Sequence, residues 1–501
     1  MNRLLLALCA CCLLNLTAFA QLEDIELDGS NQLRFDNGRE VDTRRAGLEY
    51  PDNTIARRFV ENRLRLDLFS GNFRLGGRYL YFRPSEADVD QFRLTDQNRF
   101  DKRYFEATFD PLQLRFGHFS DLWASGLALS LFENRDLYFD SELDGVRAQV
   151  NAGSVKLIGL TGKTQAGALV PEIKTTAGRI ELSPGKEHLG FSYVYHDSLQ
   201  NPETSVAGVD WNFTRGPVNV YGERVWNEQI LTGGDEAGHA TFVGVVLSRW
   251  GWSLLAEYAD YNYGRATQIQ NPPTTFREVG PRLLQGREPH VMNVPDEVGA
   301  QIELNGSLAE NTFVTGHFNA NSRHSEDDET IPLPTLEEKY RAYWDIFANV
   351  DHSFDGGQQL FVELGANEES AAIWQERTWG QVRATFPFRG SQELEFEVEQ
   401  LLITDKSRDD EKYHDMLYAV SWVPSPTLSL YLSVQMTDDE ELQKREGDAW
   451  MSGEVAWQLA AGKHRAILFY GTERGGLKCS NGVCRQVQAF SGLRFTLETS
   501  L

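Results

Sequence analysis

The feature that most constrains this chain is an apolar–polar alternation of period two, recurring in segment after segment with the charges on one parity. Leu428, Leu430, Leu432, Val434 and Met436 share one parity, while Ser429, Tyr431, Ser433 and Gln435 share the other. Val382, Ala384, Phe386 and Phe388 oppose Gln381, Arg383 and Thr385; Leu64, Leu66 and Leu68 oppose Arg63, Arg65 and Asp67. The segment Cys484 to Leu501 repeats the pattern, with Leu493, Phe495 and Leu497 set against Arg494, Thr496, Glu498 and Ser500. Successive side chains of a strand point to opposite faces, so each segment predicts a strand with one face in an apolar medium and one in a polar medium. A charge on a lipid-facing position at mid-membrane costs about 2–4 kcal/mol, which explains why one parity stays free of charge.

Arg3, an apolar run from Leu4 to about Leu16 and Ala18-Phe19-Ala20 read as a secretory signal over residues 1–20, with cleavage before Gln21. Leu8-Cys9-Ala10-Cys11 loosely resembles a lipobox, but Cys11 follows too short an apolar stretch. Beyond the signal no run approaches the ~20 apolar residues of a membrane helix. Hydrocarbon admits only helices and closed barrels, because every backbone polar group must be satisfied internally.

Connections fall into two alternating classes. Short turns are predicted at Ser70-Gly71-Asn72, Asn151-Ala152-Gly153, Ser183-Pro184-Gly185, Trp250-Gly251, Asp355-Gly356-Gly357, Arg389-Gly390, Pro424-Ser425-Pro426 and Ala461-Gly462. Longer polar loops lie between them, at 84–100, 163–176, 263–296, 320–336, 405–411 and 438–447. Short periplasmic turns with long outer loops are the habit of outer-membrane barrels. The expectation is an all-β chain folded as one large antiparallel transmembrane β-barrel in a bacterial outer membrane. It has about 22–24 strands, an even number, over residues 56–501. Residues 21–55 form an N-terminal extension, a first strand or a segment inside the lumen. A soluble sandwich or propeller would also alternate, but would not favour long regular strands with aromatic ends.

Acidic residues outnumber basic ones 73 to 48, for a net charge of −25, which argues against nucleic-acid binding. The balance suits a surface gathering divalent cations beside lipopolysaccharide and outer-membrane lipid. Of five cysteines, Cys9, Cys11 and Cys12 lie in the signal. Cys479 and Cys484 are expected to pair in an oxidising compartment, stapling the Asn481-Gly482 turn. No helix-opening CxxC is present, so thiol redox chemistry is not expected.

Candidate lumenal chemistry follows from the parity. Glu393, Glu395, Glu397 and Glu399 occupy every second position of one strand, placing four carboxylates on one face about 6–7 Å apart. They either attract cations or pair with basic groups of neighbouring strands. Arg63, Arg65, Arg74, Arg78, Arg147 and Arg383 share the lumenal parity, most of them in the first third. Closure would set the two sets across a pore as a transverse field. The connection Gly126-Leu127-Ala128-Leu129-Ser130-Leu131, running into Glu133-Asn134-Arg135, is unusually apolar. It either folds inward as a constriction, with Glu133 and Arg135 as fixed charges, or forms an extra strand pair.

No metal site or cofactor is expected: the acidic loops Glu86–Asp90, Glu326–Glu329 and Asp438–Glu441 lack EF-hand spacing, and the histidines show no paired ligand spacing. His196-Asp197-Ser198 and His324-Ser325 are the nearest approaches to a nucleophile with its base. Neither sits in a nucleophile elbow, so the chain is not expected to be an enzyme.

Two segments carry a resemblance. Gly126–Leu131 with Glu133-Asn134-Arg135 and Leu143-Asp144-Gly145-Val146 is one; Arg474-Gly475-Gly476 with Cys479 and Gly482-Val483-Cys484-Arg485 is the other. In these the chain resembles an uncharacterised family of bacterial outer-membrane proteins of unknown function. The resemblance implies a porin-like barrel and brings no substrate or catalytic residue. One departure is Leu501, where such barrels usually end in Phe or Trp.

The expected role is porin-like passage or uptake of a hydrophilic solute, since so wide a barrel has a lumen that side chains alone do not fill. The alternative is a structural or assembly component anchoring an envelope complex, with an envelope protein as partner; an outer-membrane hydrolase ranks below both. Insertion would engage the barrel-assembly machinery. Residues 21–55 are too few for the plug domain of a TonB-dependent receptor.

Overall fold

The computed structural model describes residues 25–501, apart from 46, 168–169, 198–202, 231–235, 264–268, 277–283, 285, 287–289, 294, 327–328, 371–373 and 481–482. The signal segment thus lies outside the described residues. Twenty-four strands form one antiparallel sheet closed on itself. In chain order they are β1 (Glu26–Val41), β2 (Thr54–Ser70), β3 (Phe73–Arg83), β4 (Gln97–Phe109), β5 (Leu112–Phe119), β6 (Leu143–Ala152), β7 (Val155–Thr164) and β8 (Lys174–Leu182). Then follow β9 (His188–Asp197), β10 (Glu203–Arg215), β11 (Val218–Ile230), β12 (Glu236–Arg249), β13 (Trp252–Asn262), β14 (Glu297–Ala309), β15 (Thr312–Ser322) and β16 (Tyr343–Ser353). The last third comprises β17 (Gln359–Glu369), β18 (Gln375–Phe388), β19 (Gln392–Asp405), β20 (Glu411–Ser425), β21 (Leu428–Thr437), β22 (Ala449–Leu459), β23 (His464–Glu473) and β24 (Phe490–Ser500).

Each strand pairs with its sequence neighbours, and β1 pairs with β24 in continuous register from Ser30↔Ser500 to Glu40↔Phe490. Residues 21–55 therefore contain a wall strand, β1, which closes the ring. Closure leaves no unpaired edge, as hydrocarbon requires. All predicted short turns fall at one end of the barrel, where the residues between β4 and β5, β10 and β11, and β14 and β15 add three more. The long connections all lie at the other end. Two helices, α1 (Glu86–Phe92) and α2 (Glu440–Glu446), sit in these outer loops. One expectation shifts: residues 483–487 do not begin the closing strand but pair with 476–480 in a separate hairpin of the last outer loop.

The outer wall is apolar. Leu75, Leu157, Ile180, Ile302, Leu364 and Leu432 all point outward and are exposed. Aromatic groups gather towards both ends, with Phe73, Phe213, Phe313 and Trp457 near the turns and Tyr81, Tyr193, Trp226 and Tyr470 nearer the loops. Phe73 stacks on Phe105 at 5.8 Å, and such pairs add about 0.5–1.5 kcal/mol beyond area burial. An apolar band around the whole circumference is far larger than water tolerates on a soluble protein. The chain is an outer-membrane β-barrel.

Candidate functional site

Lumenal burial changes along the barrel axis. On β19, Glu393 at the turn end is exposed, Glu395 and Glu397 are half-buried, and Glu399, Leu401, Ile403 and Asp405 are buried. On β11, Asn219 and Tyr221 are half-buried whereas Glu223, Val225, Asn227 and Gln229 are buried. The cause is two long connections whose described residues turn inward and pack against the outer half of the wall.

The first is the connection 120–142. It carries two small strand pairs, Asp121–Leu122 with Ser130–Leu131 and Glu133–Asn134 with Phe139–Asp140, so it folds inward and is locally paired. Its apolar run explains the direction: Trp123, Leu127, Leu129 and Leu131 are buried against Val206 of β10, Val225 of β11 and Phe242 of β12. Burying such a side chain contributes roughly 1.5–3 kcal/mol. Glu223 fixes the turn by accepting from Ser125 N at 2.9 Å, Ser125 Oγ at 2.6 Å, Leu127 N at 3.2 Å and Ala128 N at 3.1 Å. Gly126 has φ +91°, and a Cβ there would lie 2.8 Å from the carbonyl oxygen of Asn271, so the turn requires glycine.

Across the lumen the same connection reaches the opposite part of the wall. Glu133 pairs with Arg78 of β3 at 2.5 Å, and Arg135 with Glu61 of β2 at 2.6 Å. Burial opposes ionisation of Glu133, but the hydrogen bonds and charge of Arg78 outweigh it, with Lys102 and Arg135 assisting. The carboxyl falls from 4.5 to about 2.

The second is the connection 263–296. Leu284 N donates to both carboxylate oxygens of Glu399 at 3.2 Å, and His290 pairs with Glu369 of β17 at 2.5 Å while stacking on Tyr343. Burial works against charge on His290; Glu369 outweighs it, aided by Glu297 and opposed by Arg377, so the ring titrates above its ordinary range. The two connections bind each other through Ser130 N to Ile269 O at 2.8 Å, Asn271 N to Gly126 O at 3.1 Å and Tyr263 Oη to Leu127 O at 3.0 Å. Together they form one layer from β2 across to β19.

Below that layer the predicted charges separate by sector. Arg63, Arg65, Arg74 and Arg78 lie on β2 and β3 and Arg147 on β6, all lumenal. Asp67 pairs with Arg65 and Arg74 at 3.1 Å, Asp101 with Arg78 at 2.5 Å and Asp121 with Arg147 at 2.6 Å. Roughly opposite, the carboxylates meet mainly neutral donors. Glu397 accepts from Gln381 at 2.6 Å, Glu395 from Thr385 at 3.0 Å, and Glu257 from Tyr221 and Gln301. Arg383 stands apart from the other arginines, within this acidic sector, 3.9 Å from Glu395. Glu399 differs from the rest of its ladder: it holds a loop rather than facing open lumen.

Sequence reasoning missed Glu223. Its parity marks it as lumenal, but nothing local signals that four donors converge on it. Ser198 and the side chains of Ser325, Cys479 and Cys484 lie outside the described residues. Of their neighbours, His196 is buried beside Thr175, and His324 pairs with Asp296 at 2.5 Å. The backbone places Cys479 directly opposite Cys484 across the outer hairpin. Among the described residues no cluster of three or more His, Cys, Asp or Glu is arranged to hold a metal, and no helix is long and apolar enough to cross a membrane.

Comparison with known proteins agrees on the fold. The P pilus usher PapC translocation pore superposes with a TM-score of 0.51 at 9% identity, covering 95% of this chain and 99% of that one. The siderophore receptor PirA from Pseudomonas aeruginosa gives 0.44 at 9% identity, covering 95% and 80%. OccK5 (OpdH), also from Pseudomonas aeruginosa, gives 0.42 at 10% identity, covering 76% and 99%. No curated protein matches the sequence. One family, described as a family of unknown function (DUF6029), matches residues 1–501.

Proposed function

The chain belongs to this family of unknown function, and we propose that it is a gated, porin-like channel passing or taking up a hydrophilic solute. One observation carries the reading: two connections held on Glu223, Glu399, Arg78 and Glu61 reach into the outer half of the lumen, while the periplasmic half keeps polar, half-buried walls. A permanently inert barrel has no need of a polar antechamber beneath a layer fastened to the wall by apolar packing and a few polar contacts. Glu133 and Arg135 are the constriction charges. The acidic sector around Glu393–Glu397 lies about a third of the way round the ring from the basic sector around Arg63–Arg78, and the field between them would orient a dipolar solute.

The finer features belong to the same reading. The segment 1–20 directs export, the barrel-assembly machinery inserts the chain, and lipopolysaccharide surrounds the outer loops. Cys479 and Cys484 join in a disulfide across the outer hairpin. The test is planar-bilayer current through refolded residues 21–501, compared with a variant in which 124–138 is replaced by a short glycine-serine bridge. Rare, small openings for the parent and steady conductance for the variant are expected. A second reading, an anchor for an envelope complex, is favoured by the inward packing of these two connections. Silence of a folded, loop-shortened barrel would decide for it.

A further inference from the structure

At the periplasmic end, directly inside the β1–β24 seam, lies a cavity of about 500 Å³ bounded by β1, β2, β3, β22, the turn before β23, β23 and β24. That volume is in the range of small-molecule sites. Its walls carry Arg63, Arg65, Arg78, Lys463 and Arg465, against a single carboxylate, Glu498. Register explains the crowding. Arg465, Glu498, Gln32 and Arg63 lie side by side in one row across four strands. In the neighbouring row Arg65 stands opposite Arg78, and Arg78 opposite Lys102. Like charges directly opposite on an antiparallel pair are destabilising unless something between them is negative.

Arg78 is satisfied by Asp101 and Glu133, and Arg65 by Asp67. The other three are not. Arg63 spends an N–H on the neutral amide oxygen of Gln32 and makes no ion pair among the described residues. Lys463 makes none either, and Arg465 approaches Glu498 only to 3.9 Å. Three cations thus face one carboxylate inside a concave wall. Arg63 and Arg465 stand at the two ends of that four-strand row, and each planar guanidinium presents paired N–H donors matched to carboxylate or phosphate oxygens.

We infer that this cavity binds a small multivalent oxyanion, a di- or tricarboxylate or a phosphorylated solute, at the periplasmic mouth of the channel. The inference deepens the channel reading by naming the solute class, but binding here does not require that the outer layer open. Arg63 and Arg465 close on the anion from two sides, Lys463 supplies a point charge from the turn, and Glu498 sets a lower limit on the charge the site accepts.

The test is calorimetric titration of detergent-folded residues 21–501 with citrate and with inorganic phosphate at low salt. Saturable binding is expected, weakened at least tenfold in the Arg63→Gln, Arg465→Gln double variant and tightened severalfold by Glu498→Gln. Lys463→Gln, in the exposed turn before β23, removes one of the cavity's charges without altering a strand, and should weaken binding severalfold even if the double variant folds poorly. Arg224→Gln, on the outer face, should change nothing. Absence of saturable binding of either probe, or equal binding by the parent and the Lys463 and double variants, overturns the inference. Binding without current in the loop-shortened barrel would overturn the channel reading alone, and current without binding would overturn this one alone.

Discussion

At the scale of the residue, Glu223 is the position whose loss should be most informative. It is buried on β11 and accepts four hydrogen bonds from one turn. Glu223→Ala leaves those donors unpaired at about 1–3 kcal/mol each. The turn should then loosen, because three backbone N–H groups and the Ser125 hydroxyl lose their shared acceptor. Open probability in a bilayer should rise at least tenfold, while the folded band on unheated gels stays unchanged; an unchanged current would show that Glu223 does not hold the layer. The ionic contacts predict a pH response of opposite sign at the two connections. The folded Glu133 carboxyl lies near 2, below its unfolded 4.5, so its contribution is complete above about 4.5 and is lost as pH falls through about 2. His290 is raised above 6.5, so its contribution is complete below 6.5 and lost as pH rises through the raised value. Current should therefore be lowest at mildly acidic pH and rise on both sides. Glu133→Gln should abolish the acid limb only.

At the scale of the element, the outer hairpin 476–487 offers a contained prediction. Cys479 stands opposite Cys484 in register, so, given the disulfide proposed above, reduction should increase the proteolysis of this loop alone, read as new cleavage within 476–487 and no loss of the barrel band. Strands were legible because their two solvents differ so sharply that parity alone orients them: Leu432 looks to lipid and Ser433 to the lumen because no other assignment is affordable. Eight turns were legible from glycine or proline, as at Gly390, but Asp110-Pro111 and Gly216-Pro217 carry the same residues and did not stand out from their flanking runs. The turn Glu310-Asn311 carries neither and left only its position between two alternating runs. The depth of a lumenal residue was not legible. Glu395 and Glu399 look identical in sequence, and only the inward path of the connection 263–296 makes one a half-wet wall group and the other the acceptor for Leu284.

At the scale of the whole molecule, the barrel is one cooperative ring, with ladder bonds on both sides of every strand and two connections wedged in its outer half. Charge is organised at this scale as well. Paired cations of β2–β6 and neutral-bonded carboxylates of β13–β19 face each other only because the sheet closes, so no local window of sequence displays the arrangement. Closure brings together the first and last wall strands at the periplasmic end, where Leu501 N donates to Gly29 O at 2.9 Å. The ring consequently has no privileged starting point. A circular permutant with residues 26 and 501 joined by a short linker and new termini opened at Trp250-Gly251 should assemble the same barrel with the same gel mobility. Evolution and the engineer alike are free to begin this wall at any periplasmic turn.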